Sequence, residues 1–255
     1  MLGGRMNLEP RIDVIAAVLA DRSRATIVCA LMDGRAYTAK ELAYRARVTA
    51  QTASFHLHRL LESRLIACHK QGRNRYYRLP SAEIAGMIEA LSVAAPVEHL
   101  RRCPARATRE LALARSCYDH LAGRLGVDLA QGLAETGALL SRGGEFSLTP
   151  RGLRLLAEIG LDAAAIAPGT RPLVHNCMDW TERRFHYSGV LGTALFDHFL
   201  SEAWLERIDS SRALRVTVKG LALFQSRLQL DMTPFETATL ATPAQAATAR
   251  RATER

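Results

Sequence analysis

No stretch of this chain comes near the roughly 20 consecutive apolar residues that a membrane-crossing helix needs. The opening residues, MLGGRMNLEPRIDVIAAVLADRSR, lack the uninterrupted apolar run of a secretory leader, because Asp13 and Asp21 break it. Cysteine is scarce, odd in number and scattered over Cys29, Cys68, Cys103, Cys117 and Cys177. That spacing is poor material for a disulfide framework and suits a reducing compartment, so a cytoplasmic protein with no membrane partner is expected. Catalytic signatures are missing too: no Gly-rich phosphate loop, no G-x-S-x-G and no H-E-x-x-H. Cys177 and His175 stand two residues apart, an awkward placement for a nucleophile and its base on a regular helix. These absences argue against an enzyme, and no cofactor is expected.

What the chain has is positive charge in one place. Its net charge is +9 over 255 residues, and between Arg35 and Arg78 ten basic residues face two acids, Glu41 and Glu62. Nearly all the excess therefore sits in 44 residues. Such a block attracts a polyanion by counterion release. A solvated face would give the same count, so the local pattern has to decide.

That pattern is a series of short helices followed by a hairpin. Ile12, Ile15, Val18 and Leu19 recur at helical spacing, and a second helix is expected from Ser23, as its cap, to the residue before Gly34. Thr38 with Glu41 three residues on is a capping-box spacing, opening a helix at 39–46. Thr49 opens the next, with Ala53, His56, Leu57, Leu60 and Leu61 on one face. IACHKQGRNRYYRL then reads as two extended segments about Gln71-Gly72-Arg73-Asn74. A further helix starts at Ser81 and stops at Pro96.

Two helices joined by a tight turn and followed by a basic hairpin form the mechanical core of a winged helix-turn-helix. The second helix of the pair presents its first turns to base edges in the major groove of double-stranded DNA. Those turns carry Thr49, Gln51, Thr52 and Ser54, with His56 and Arg59 beyond. Gln can bond adenine in bidentate fashion, and Ser or Thr can serve bases or phosphates. Lys70, Arg73 and Arg75 on the hairpin can reach phosphates.

Residues 12 to about 95 resemble the ArsR/SmtB type of bacterial repressor. The segments LADRSRATIVCAL, KELAYRARVTAQTASFHLHRLLESRLI and GRNRYYRL carry the likeness. The resemblance implies a homodimer built from the first and last helices of that domain, seated on a palindromic operator. It covers about a third of the chain. LTPRG, CMDWTERRFHYSGVLG and VTVKG look like an extended subgroup of such regulators.

The remainder reads as mostly helical, with a degenerate repeat. LGVDLAQGLAETGALL at 125–140 resembles LGTALFDHFLSEAWLE at 191–206, and FSLTPRGLRLL at 146–156 resembles LRVTVKGLALF at 214–224. The expected fold is thus mainly α with small β-hairpins. It comprises a winged helix-turn-helix over 1–96, a C-terminal sensor or interaction region over 97–232 with two degenerate winged-helix-like repeats, and a flexible tail over 233–255.

The signal such a regulator would read is open. Metal-sensing relatives carry Cys-x-Cys on the bracing helix or acid and His ligands on the last one. Here those places read Glu41-Leu42-Ala43-Tyr44-Arg45, and Glu83 with Glu89, so no metal site is expected there. Sulfide- and redox-responsive relatives pair a Cys on the second helix with one near the end of the last. Cys29 matches the first place, and Cys103 lies seven residues past the expected second place near Pro96. A third lead is the polar-aromatic cluster around Cys177, Trp180, Arg183, Arg184 and His186. If helical from Asp179, it would set Trp180, Arg183, Arg184 and Tyr187 on one face for a small-molecule effector. A nucleoid-type DNA-binding protein without an effector is the remaining class; it would show little sequence preference.

Overall fold

The computed structural model describes residues 9–166 and 171–240. The chain divides into two compact units, Met1–Ile84 and Ala85–Arg255.

The first unit runs α1 (Ile12–Leu19), α2 (Arg22–Leu31), β1 (Tyr37–Thr38), α3 (Ala39–Ala46), α4 (Ala50–Glu62), β2 (Ala67–Gln71) and β3 (Asn74–Arg78). Polar caps set three of the starts, by accepting from backbone N–H groups that have no partner inside the helix. Asp21 accepts from the Arg24 N–H at 2.9 Å, and Thr49 from the Thr52 N–H at 3.2 Å. Thr38 and Glu41 form the full capping box. The cap of α2 is therefore Asp21 and not Ser23, since Asp21 is the residue with extended backbone and Ser23 already lies in the first turn. The strands form an antiparallel sheet in the order β1-β3-β2, with Tyr37 opposite Tyr77. Strand β1, two residues long, is too short for an alternation pattern to reveal.

Ile27, Leu31, Leu42, Ala53, Leu57, Leu60 and Leu65 are buried beneath this sheet-and-helix frame. Each buried Leu or Ile contributes about 1.5–3 kcal/mol from apolar burial. A polar brace adds direction: buried Asp33 accepts from the Tyr37 hydroxyl and from Arg35, while Arg45 on α3 donates to the Tyr37 oxygen at 2.9 Å. Burial and the bond to Asp33 push the Tyr37 phenol up to about 12, so it stays a donor.

The second unit takes in most of α5 (Ala82–Ala94) and continues with a 3-10 turn at Glu98–Arg102 and α6 (Ala105–Leu113). Two blocks of the same order follow. The first is β4 (Arg115–Cys117), β5 (His120–Ala122), α7 (Arg124–Glu135), β6 (Leu139–Arg142), β7 (Glu145–Leu148) and α8 (Pro150–Glu158). The second, after a 3-10 turn at Ala163–Ile166, is β8 (His175–Met178), β9 (Phe185–Ser188), α9 (Gly189–Ser201), β10 (Leu205–Arg207), β11 (Leu214–Val216) and α10 (Val218–Leu228). Matching caps open the last helix of each block. Thr149 accepts from the Gly152 N–H and donates to the Gly137 carbonyl; Thr217 accepts from the Gly220 N–H and donates to the Ala203 carbonyl. The core gathers around Phe199, Trp204 and Phe224, whose rings meet at 4.9–5.1 Å.

Three expectations need correction. The units divide at residue 84 and not at 96, because Glu89 on α5 is buried against Arg115 and Arg212 of the second unit. The tail expected from 233 begins as helix α11 (Thr233–Leu240), with Phe235 buried in the core; residues 241–255 lie outside the described ones. The segment from Asp179 is a turn between β8 and β9 and not a helix, so Trp180, Arg183, Arg184 and Tyr187 share no helical face.

Candidate functional site

Helix α3 lies across α4, and the turn between them is tight because Arg47 takes a left-handed conformation (φ 54°) whose N–H returns to the Ala43 and Tyr44 carbonyls. That conformation is unfavourable for a side-chain-bearing residue, by about 1 kcal/mol or more. On α4, residues Ala53, His56, Leu57 and Leu60 turn inward, which leaves Thr49, Gln51, Thr52, Ser54, Phe55, His58 and Arg59 exposed. The Thr49 and Thr52 hydroxyls bond each other at 2.8 Å, and Ser54 donates to the Ala50 carbonyl at 2.9 Å. Gln51 presents an amide with a donor and an acceptor at the start of the helix. Exposed Phe55, absent from the sequence-based candidates, adds an apolar surface beside it.

His56 is a correction. It was counted with the DNA-facing residues, but it is 7% exposed, and its Nδ1 lies 3.8 Å from Asp21 Oδ1. The helical period that exposes Gln51 and Ser54 turns His56 to the core. Arg59 is exposed and pairs with Glu62 at 3.3 Å.

The hairpin β2-β3 sets Lys70 opposite Arg75, both exposed, with Arg73 at the tip. Like charges directly across a strand pair cost stability. An arrangement with that cost, and with no acidic partner for Lys70 or Arg75 among the described residues, suits an external polyanion. Tyr77 is buried at the base of the hairpin, which anchors it.

The proposed sensor residues scatter. Cys29 and Cys103 are both exposed, on α2 and after the turn that follows α5, and no disulfide is present among the described cysteines. Arg183 and Arg184 are exposed on the β8-β9 turn, where Arg184 donates to Gln131. Trp180 lies under the guanidinium of Arg115, 4.7 Å from ring centre to Cζ. Arg115 is itself buried and pairs with Asp179 at 2.9 Å and Glu89 at 3.2 Å. A cleft of about 310 Å³ lies elsewhere in the unit, lined by Arg151, Arg154 and Arg227 among others.

Cys177 and His186 meet a pair that the sequence analysis passed over, Cys117 and His120. One ligand-type atom from each of the four lies within 4.8 Å of the others. Each hairpin supplies one Cys and one His at directly opposed positions: Cys117 faces His120 across β4-β5, and Cys177 faces His186 across β8-β9. The two Nε2 atoms are 3.1 Å apart. Each Nδ1 turns toward a carboxylate, His120 to Asp119 at 3.1 Å and His186 to Asp179 at 3.4 Å. The bond with Cys177, together with burial, pushes the Cys117 thiol up to about 12. Burial works against charge on His186, but Asp179 and Cys117 outweigh it and raise the imidazole to about 9. The sequence held a signal for this: extended a few residues upstream, the repeat reads H-x-x-G-x-L-G at 120–126 and again at 186–192.

Comparison with known proteins adds three findings. A family described as a helix-turn-helix domain matches residues 19–69. Over 226 residues the chain is 40% identical to YdfF of Bacillus subtilis (strain 168), described as an uncharacterized HTH-type transcriptional regulator; the match spans 88% of this chain and 100% of that protein. Among solved structures, reduced HlyU from Vibrio cholerae is similar at 28% identity, over 36% of this chain and 90% of that one, with a TM-score of 0.30. The transcriptional repressor BigR from Xylella fastidiosa is similar at 24% identity, over 34% and 88%, with a TM-score of 0.31.

Proposed function

The chain belongs to the HTH-type transcriptional regulators, and from that premise we propose that it is of the ArsR/SmtB type, binds a palindromic operator in cytoplasmic DNA as a homodimer and represses until an effector releases it. The observation that carries this reading is the exposed first turn of α4, capped by Thr49 and flanked by a hairpin that sets the exposed cations Lys70 and Arg75 opposite each other. Gln51, Thr52 and Ser54 read base edges, with Thr49 and Arg59 beside them on the backbone; Lys70, Arg73 and Arg75 hold phosphates. Gln51→Ala is expected to lose about 1–3 kcal/mol of discrimination between operator and random DNA, because one good base contact carries about that much. Competition binding on both duplexes checks it, and an equal loss on both would show that α4 does not read sequence.

Dimerisation draws support from an uncovered apolar surface in the first unit. Ile12 and Val14 on α1 are 74% and 45% exposed. A second copy covering them would form a two-fold dimer, and operator half-sites about 34–36 Å apart, one turn of DNA, would match it. Sedimentation at micromolar concentration should show a dimer, with Ile12→Asp shifting it to monomer; a wild-type monomer would remove this assembly.

Release requires an effector that prefers the DNA-free shape, since equal affinity for both shapes shifts nothing. The cleft lined by Arg151, Arg154 and Arg227 brings three cations together on a concave surface that suits an organic anion.

A further inference from the structure

We propose that Cys117, His120, Cys177 and His186 bind one tetrahedral Zn²⁺ ion that clasps the two hairpins of the second unit. The proposal does not rest on the DNA-binding reading, because its residues belong to a different unit and its chemistry is local.

Three independent features carry it. The first is the ligand set. Two thiolates and two imidazoles are the donors of a closed structural zinc site, and a soft S₂N₂ set disfavours magnesium and calcium. In such a site, with Zn–N near 2.0–2.1 Å and Zn–S near 2.3 Å, nitrogens stand about 3.3 Å apart and sulfurs about 3.8 Å. The observed Nε2 separation is 3.1 Å, and all four atoms lie within 4.8 Å of one another. Side-chain rotation of about 1 Å closes the set.

Orientation is the second feature. Both imidazoles direct Nδ1 at a carboxylate, Asp119 or Asp179, and both direct Nε2 at the cluster. A ligating His characteristically donates its other N–H to a carboxylate, which fixes the tautomer and strengthens the ligand. Asp119 is itself held by Arg171 at 2.9 Å and by Thr193 at 3.1 Å, and Asp179 by the Gly123 N–H at 2.7 Å.

The third feature is the twofold construction. Glycines at the starts of α7 and α9 let each helix approach its own hairpin and the histidine of the other. A Cβ on Gly126 would sit 2.5 Å from the Leu121 carbonyl oxygen and 3.5 Å from the His186 Cβ; one on Gly192 would sit 2.4 Å from the Tyr187 carbonyl oxygen and 3.5 Å from the His120 Cβ. The two blocks thus meet at the cluster.

From neutral imidazoles, binding is Zn²⁺ + 2 Cys–SH + 2 His → Zn(Cys–S)₂(His)₂ + 2 H⁺, and a ring that starts protonated gives up one proton more, all of them going to solvent. The product core is neutral, as burial demands. With every coordination place filled by protein, the ion holds structure and has no open place for substrate.

The test begins with full-length protein purified without chelator, with metals measured by plasma mass spectrometry. About one zinc per chain is expected, falling at least tenfold in Cys117→Ser and Cys177→Ser and persisting in Cys29→Ser and Cys103→Ser. Because the serine variants can fail to fold, wild-type protein stripped by a strong chelator is also titrated with Co²⁺ alone. Thiolate-to-cobalt charge transfer and intense tetrahedral d–d bands are expected, with release of protons on binding. Absence of both zinc and the cobalt spectrum would overturn the proposal. So would zinc retained in Cys117→Ser, or a Cys117–Cys177 disulfide found by mass under non-reducing conditions.

Discussion

Arg115→Ala is expected to destabilise the second unit by about 3–5 kcal/mol, the cost of stripping one partner from a buried ion pair. Arg115 is fully buried and faces Asp179, also fully buried, and Glu89, 1% exposed. It further donates to the Thr181 hydroxyl at 3.1 Å and covers the face of Trp180. Truncation leaves two carboxylates without their shared counter-charge. Arg212, 3.7 Å from the other Glu89 oxygen, is the cation that stays beside Glu89. Burial alone would raise the Asp179 carboxyl, yet His186, Arg115 and Thr181 hold it well below the usual carboxylate range, which marks a site built around the charged form. Chemical denaturation of the full chain measures the loss. Adding Glu89→Gln to Arg115→Ala should recover part of it, because one orphaned charge disappears. A single variant within about 0.5 kcal/mol of wild type, the range of an ordinary surface change, would show that the network is not holding this unit together.

The second large effect belongs to the hairpin. Arg73→Ala combined with Arg75→Ala should weaken binding to every DNA sequence and flatten the log–log salt dependence by about 2 units, close to 1 per phosphate contact. Expressed as affinity, a fourfold rise in salt from 50 to 200 mM should cost the wild type roughly tenfold more than the variant. Folding stability should hold or rise slightly, since both arginines are exposed and the repulsion between Lys70 and Arg75 is relieved. The measurement is fluorescence anisotropy on operator and random duplexes across a salt series. An unchanged slope would mean that the hairpin points away from DNA, and its charge would then be plain solvated surface.

Gln51→Ala and this double variant fail in opposite ways. A base contact is local to one sequence, so its loss erases preference and leaves background binding. A phosphate contact is the same on every duplex, so its loss lowers all affinities and leaves preference. Together they separate a sequence-reading helix from a charged wing without a structure of the complex.

Much of the first unit is legible in the amino acids because its determinants are local. Thr38 with Glu41, and Thr49 with Thr52, lie within one turn of each other, and the bonds they form are decided by that turn. The apolar spacing of Ala53, Leu57 and Leu60 sets which face of α4 is buried, and so which residues remain outside. His56 lies on that same apolar face although it is also expected among the DNA-facing residues; the period of the helix decides, and the ring sits in the core beside Asp21.

Strand β1 was out of reach for a different reason, since two residues become a strand only when β3 lies alongside. The turn from Asp179 misled because Trp180, Arg183, Arg184 and Tyr187 fit a helical spacing equally well. What decides between helix and hairpin there is the pairing of β8 with β9 and the Asp179 carboxylate, which accepts from the Thr181 and Glu182 N–H groups within the turn.

Charge, caps and period alone thus establish a winged helix-turn-helix with Gln51, Thr52 and Ser54 outward and a cationic hairpin beside them. The gathering of Cys117, His120, Cys177 and His186, and the burial of Arg115 between Glu89 and Asp179, belong to tertiary structure. Cys117 and Cys177 stand 60 residues apart, and no local bond relates them. Their meeting depends on two hairpins and two helices packing reciprocally; the repeated H-x-x-G-x-L-G marks the two histidines as equivalent, but that they and the two cysteines converge is decided by shape and burial across the whole unit.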